Sequence, residues 1–264
     1  MTTNDWQVEP ARPPGMFWAL IRHDIKLRRR RGVVLPRRWR MAYAIAAFVI
    51  LMVSVTLEGP KAHFYLNAVW YFTFGYPFMT LGISAGRIKR EWRNGTSGWW
   101  MSLSMPRWQL VLAKAISSFI RALMIYAGTY LAVSILGAYT LVLRGTFNAQ
   151  TMGQFLLQGL EWNGLLVGAA PFMIAFGVLL AILSSSSARP LAPLMWVVIG
   201  GLWWGIFPIA GASNWFAVHG SGQSAAITIT PAVFPAIFGS WVLASICLFL
   251  SIYLMRRFVD ISQA

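Results

Sequence analysis

"NGLLVGAAPFMIAFGVLLAIL", residues 163–183, is a run of 21 residues without a charged side chain. A helix needs about 20 predominantly apolar residues to cross the hydrocarbon core of a bilayer, so this run is long enough to span a membrane. The whole chain has the same character, because 58% of its 264 residues are hydrophobic and only 11% are charged. This composition is far from that of soluble proteins and indicates a membrane protein.

Six apolar windows of this kind lie along the chain. They cover residues 41–57, 64–86, 115–141, 163–183, 191–210 and 234–255. The sequence therefore predicts an all-α polytopic membrane protein with six transmembrane helices. A long basic segment precedes the first window and no cleavage pattern follows it, so we expect the first span to remain in the mature protein.

The basic residues lie in alternate loops. Ten precede the first window, and five lie in the loop 87–110 between the second and the third, with Lys114 just beyond it. By contrast, Lys61 and Arg144 are the lone basic residues of the loops after the first and third windows. The positive-inside rule then places both termini and the loop 87–110 in the cytoplasm. Attraction to the acidic inner leaflet accounts for the net charge of +15, so nucleic acid is not needed to explain it.

The regions around the spans divide into three kinds. Residues 1–40 are predicted to form a cytoplasmic tail and an amphipathic helix, residues 41–256 the six-helix transmembrane domain, and residues 257–264 a cytoplasmic C-terminal tail. The segment 211–233 lies outside the membrane in this topology. It is apolar but interrupted by Gly and Pro, which favours short helices dipping into the outer leaflet, with a disordered loop as the alternative.

The amphipathic helix is predicted between residues 15 and 31. Its apolar positions, Phe17, Leu20, Ile21 and Ile25, recur at helical spacing, and basic residues occupy the other faces. This pattern is typical of an interfacial helix on the inner membrane surface. A solvated basic tail is the alternative.

The residues predict no catalytic, cofactor-binding or metal-binding site. A phosphate-binding loop needs a lysine followed by Ser or Thr, and none of the four lysines has that neighbour. There is no His-Glu-x-x-His motif, and Ser213 and His219 lack a second histidine from a later span. Within the third window, Arg121 is either a snorkelling side chain or a gating or substrate contact.

The loop "KREWRNGTSGWWMSLSMPRWQLVLAK", residues 89–114, carries the strongest local pattern. Its Asn-Gly-Thr triplet matches the glycosylation pattern, but on the cytoplasmic side it predicts a turn that starts a helix capped by Thr96 or Ser97. Trp99, Trp100 and Leu103 give that helix an apolar ridge, and Pro106 helps to end it. The tryptophans are either anchors for a partner protein or an aromatic belt at the headgroups.

The order of these residues resembles the Glu-x-x-x-Gly-Thr … Pro-x-Ser-Arg … Lys signature of the ABC-2 family of exporter permeases. Here Pro106 stands directly before the arginine, which departs from the family pattern. The resemblance implies that the segment is a coupling helix docked in a groove of a partner ATPase. The docking residues that it implies are Glu91, Gly95, Thr96, Trp99, Trp100, Leu103, Pro106 and Arg107.

The resemblance also implies a function. The chain would be the permease subunit of an ABC exporter in a bacterial or archaeal plasma membrane, with two ATPase subunits that bind ATP and magnesium and a second permease copy, identical or similar. The aromatic-rich spans favour an amphipathic or hydrophobic cargo such as a peptide or drug. The alternatives are a secondary transporter or channel without an ATPase, and a membrane scaffold or immunity protein. No carboxylate lies centrally in a window, which weakens ion-coupled transport.

Overall fold

The computed structural model describes residues 15–26, 37–58, 66–95, 105–209, 216–219, 226–231 and 233–257. The described chain is helical apart from one short pair of strands. The helices are α1 (Met16–Lys26), α2 (Arg37–Glu58), α3 (Tyr76–Arg93), α4 (Arg107–Leu143), α5 (Ala149–Ser184), α6 (Ala192–Ile209) and α7 (Val233–Arg257), with 3-10 helix at Leu66–Gly75 and Arg189–Leu191. The strands are β1 (Phe216–His219) and β2 (Ala226–Ile229).

Three of the described helices, α4, α5 and α7, are long and apolar enough to cross a membrane. This supports the prediction of a helical membrane protein. Helices also occupy the other three predicted windows, and α2 contains a shorter apolar stretch at Met41–Leu57. These helices are not among the three that the described residues show to be long and apolar enough, so the count of six spans stays a prediction.

The second half of α5 forms the centre of the fold. Every residue from 173 to 183 is buried, which is the expected position for a helix that is apolar on all sides. Helices α3, α4 and α7 pack around it. The run of sequence with the strongest membrane signal is therefore covered mainly by protein.

A glycine permits the closest approach between α5 and α3. A Cβ placed on Gly177 would lie 2.6 Å from the carbonyl oxygen of Leu81 and would also collide with the hydroxyl of Ser84. Helices α3 and α5 can therefore pack this closely only because Gly177 has no side chain.

The hairpin corrects one prediction. Strand β1 pairs antiparallel with β2, with Phe216 opposite Ile229 and His219 opposite Ala226. The short helices predicted for the segment 211–233 are therefore wrong for these described residues. The β-branched run Ile227, Thr228 and Ile229 suits a strand better than a helix.

Candidate functional site

Helix α1 packs against the end of the helical bundle. Leu20 and Ile21 are buried, and Phe17 and Ile25 pack partly buried beside them. The apolar face predicted for this helix is thus real, and it lies against a core cluster that includes residues of α3, α4, α5 and α7. Trp18 points away from the bundle and is 64% exposed. Contact between α1 and lipid stays a prediction.

The apolar face of α1 also carries a carboxylate. Asp24 is 4% exposed, and its Oδ1 accepts a hydrogen bond from Nζ of Lys114, on α4, at 2.9 Å. The same ammonium group donates to Oε1 of Glu91, on α3, at 2.7 Å. A buried charge is tolerated only when it is paired and hydrogen-bonded, and Lys114 is 2% exposed. The lysine therefore joins three helices through one ammonium group.

A buried arginine lies next to this lysine bridge. Arg87 is 8% exposed, and its Nη1 donates to the hydroxyl of Ser117 on α4. Its Nη2 and the Oδ2 of Asp24 have no hydrogen-bond partner among the described residues. Burial is the largest influence on Arg87 and lowers its pKa, Asp24 raises it, and Arg121 and Arg90 lower it.

We call these residues the basal charge cluster. Its members are Asp24, Arg87, Arg90, Glu91, Lys114, Ser117 and Arg121. Four cationic side chains stand against two carboxylates, which leaves a formal excess of two positive charges. The cluster is suited to holding helices together and to attracting an anion. In the described ranges there is no group of three or more His, Cys, Asp or Glu side chains that could hold a metal ion.

The turn predicted at Asn94-Gly95 closes the end of α3. The amide of Asn94 donates to the carbonyl of Arg90 at 2.9 Å, and the amide of Gly95 donates to the carbonyl of Trp92 at 3.1 Å. Gly95 has φ +67°, a left-handed conformation that glycine adopts without steric cost, whereas Asn94 stays at φ −88°. The turn is confirmed, and its positive φ belongs to Gly95 alone. The helix start predicted at Thr96 or Ser97 lies outside the described residues.

The other end of the loop is the start of α4. Pro106 has φ −61° and ψ 139° and directly precedes the first residue of that helix. Arg107 is that first residue, and its Nη1 donates to the carbonyl oxygen of Met255 near the end of α7. A cation that binds a C-terminal carbonyl stabilises the end of a helix. Arg107 therefore contacts this chain, and its contact with an ATPase stays a prediction.

The predicted docking residues fall into two groups. Glu91, Gly95, Pro106 and Arg107 are described by the structure. Thr96, Trp99, Trp100 and Leu103, which form the body of the predicted coupling helix, lie outside the described residues. The structure brings together Glu91 and Lys114, the first and last residues of the pattern, which are 23 positions apart in the chain.

Four members of the cluster, Asp24, Arg87, Arg90 and Ser117, were not predicted from the sequence. Asp24 lies three residues after Ile21, on the apolar stripe of α1, and an acid on such a stripe signals a buried cationic partner. Arg87 resembled any other inner-loop arginine under the positive-inside rule. Ser117 gave no signal in the sequence, because its role depends on the packing of α3 against α4.

Comparisons with protein-family models, with curated proteins and with solved structures find no match to this chain. The functional argument therefore rests on the residues and contacts described above.

Proposed function

We propose that the protein is the membrane-spanning permease subunit of an ATP-driven exporter of the ABC-2 type. The observation that carries the proposal is the ion pair between Glu91 and Lys114, at 2.7 Å. These residues begin and end the segment that resembles the family signature. Their contact explains why an acid and a lysine stand at these two positions. It holds the end of α3 against the beginning of α4, on the two sides of the loop that joins them.

The same lysine connects the loop to α1. Through Asp24, at 2.9 Å, Lys114 joins the N-terminal helix to the helices on both sides of the predicted docking segment. A force applied to residues 96–104 would therefore act on α1, α3 and α4 together. This is the property required of a part that transmits closure of the ATPases to the transmembrane helices.

In this proposal the chain has no catalytic role. Two ATPase subunits bind ATP and magnesium, dock on the coupling helix and drive two permease copies between inward-open and outward-open states. Trp99 and Trp100 supply the apolar anchor for docking, because tryptophans bury large areas and dominate protein contacts. The cargo is an amphipathic or hydrophobic molecule, and the location is the plasma membrane of a bacterium or archaeon with both termini in the cytoplasm.

Co-purification tests the proposal. The full-length tagged protein, extracted from its own membranes in mild detergent, should bring down an ATPase subunit that carries the phosphate-binding loop motif. The Trp99→Ala/Trp100→Ala variant should insert in the membrane at normal levels and lose that subunit. A matched variant, Trp18→Ala/Trp39→Ala, removes two tryptophans that are exposed on α1 and α2 and should keep it.

Two results would contradict the proposal. If no such ATPase accompanies the wild-type protein, a transporter or channel without an ATPase becomes the better account. If the Trp99→Ala/Trp100→Ala variant retains the ATPase, the coupling segment has been placed wrongly.

A further inference from the structure

Arg121 is a charged side chain on the surface of a helix that is long and apolar enough to span the membrane. It is exposed on α4, and no carboxylate pairs with it in the part of the chain that the structure describes. It lies seven residues after Lys114, which places it about 10 Å further along the helix axis. An unpaired charge at this depth needs either water or an anionic group.

A second guanidinium group lies beside it. The Nη1 of Arg87 is hydrogen-bonded to Ser117, and Arg121 follows Ser117 by one helical turn on the same face of α4. Arg87 is largely buried, yet its Nη2 has no partner among the described residues. The positive charge of Arg121 lowers the pKa of Arg87, so the two like charges repel each other, and an anion bound at Arg121 would reduce that repulsion.

An apolar stripe runs from Arg121 toward the middle of α4. Met124, Leu131 and Ile135 follow at helical spacing and are 59%, 62% and 58% exposed. Gly128, between them, has open space above its Cα. The stripe therefore offers an acyl chain a path that begins at Arg121.

We propose that Arg121 binds the phosphate of an anionic phospholipid, with the buried charge of Arg87 adding to the attraction and with one of the acyl chains lying along the stripe of Met124, Leu131 and Ile135. Guanidinium groups match phosphate oxygens in geometry as well as in charge. The formal excess of two positive charges in the basal charge cluster favours a headgroup with net negative charge over a zwitterionic one. The lipid would belong to the cytoplasmic leaflet in the predicted topology. The site does not depend on the protein being an ABC permease.

Native mass spectrometry of the full-length protein in detergent tests the site. Phosphatidylglycerol should bind the wild type at least fivefold more tightly than phosphatidylcholine with the same chains. Arg121→Gln should weaken phosphatidylglycerol binding about fivefold to tenfold. Arg93→Gln, which removes an exposed arginine near the end of α3, should change it by less than twofold. Arg121 is exposed, so its replacement leaves the buried contacts of Arg87 in place.

Three different results would contradict the proposed lipid site. Equal loss of binding in Arg121→Gln and Arg93→Gln would show general attraction to a basic surface. Unchanged binding in Arg121→Gln would mean that Arg121 does not hold the lipid phosphate. Competition with inorganic phosphate is the third test. If millimolar phosphate displaces phosphatidylglycerol, the site belongs to a soluble anion and the lipid assignment is wrong.

Discussion

Lys114 is the residue on which the basal charge cluster depends, because it is the shared partner of Asp24 and Glu91. Replacing it by methionine keeps much of the side-chain volume and removes the cation that Asp24 and Glu91 share. Removal of one partner from a buried ion pair typically destabilises a protein by about 3–5 kcal/mol. We expect Lys114→Met to lower the thermal unfolding midpoint in detergent by about 6–12 °C.

The matched control for this change is Lys89→Met. Lys89 is exposed on α3, so the same loss of charge there should move the midpoint by about 2 °C or less. Equal shifts in the two variants would mean that Lys114 is not a structural bridge.

Gly95 is the second residue whose role can be tested on its own. Its left-handed conformation disfavours any side chain by about 1–2 kcal/mol, although space around it is open. Gly95→Ala should therefore lower the unfolding midpoint by about 2–4 °C. Gly86→Ala, in the helical part of α3 and equally open, should leave it unchanged or raise it. A higher unfolding midpoint for Gly95→Ala than for Gly86→Ala would contradict the left-handed conformation of Gly95.

At the scale of single residues, the sequence predicted only part of the basal charge cluster. Glu91 was found because it belongs to a short linear pattern that ends at Lys114. Asp24 was not found, since its partner is 90 positions away and their contact depends on how α1 packs against α4. For Arg121 the sequence left two interpretations open, because one sequence does not reveal which face of a long helix is covered.

At the scale of helices, the close contact between α3 and α5 depends on a glycine, Gly177. Gly177→Ala would place a methyl group against backbone atoms of Leu81, which cannot move away without separating the helices. We expect this variant to lower the thermal unfolding midpoint by about 5 °C or more, as overpacking costs about 1–3 kcal/mol. Gly164→Ala is the control on the same helix, where no atom lies within 4 Å. If the control is equally harmful, close approach at Gly177 is not the cause.

The helices were predicted well where hydropathy alone determines them and less well at their ends. The third window was expected to begin at residue 115, whereas α4 begins at Arg107. The first turns of α4 carry charges that lower the local hydropathy, yet Leu110 and Val111 are buried in the cluster that receives α1. Likewise α5 begins at Ala149, before the predicted 163, because Phe155 packs against Trp70. Tertiary packing extends both helices beyond their apolar windows.

For the whole molecule, the central prediction is the topology. In a Cys247→Ser background, a cysteine at position 147, in the exposed connection between α4 and α5, should react with a membrane-impermeant maleimide in intact cells. A cysteine at position 93, at the exposed end of α3, should react only after the membrane is permeabilised. The charge distribution of the loops is the reason for this expectation. Reaction of both positions from the same side would contradict the predicted orientation.

The packing of α1 shows a feature of the whole molecule that the sequence did not determine, namely what its apolar face contacts. Its periodicity predicted an amphipathic helix correctly, but an apolar face can bind lipid or protein equally well. In the structure Leu20 and Ile21 face protein, and Asp24 adds an ionic contact that a lipid surface would not offer. The proposed partner of the predicted coupling helix is another chain, whose binding surface is not encoded in this sequence.

Photo-crosslinking at position 99 tests the central claim most directly. A photoreactive residue replaces Trp99 in the full-length protein, and irradiation is carried out in native membranes. We expect an adduct with an ATPase subunit that carries the phosphate-binding loop motif. The same residue at position 39, on the exposed side of α2, should give no such adduct. An adduct at position 99 with lipid alone would show that the tryptophans form an aromatic belt, and it would contradict the docking of an ATPase on this loop.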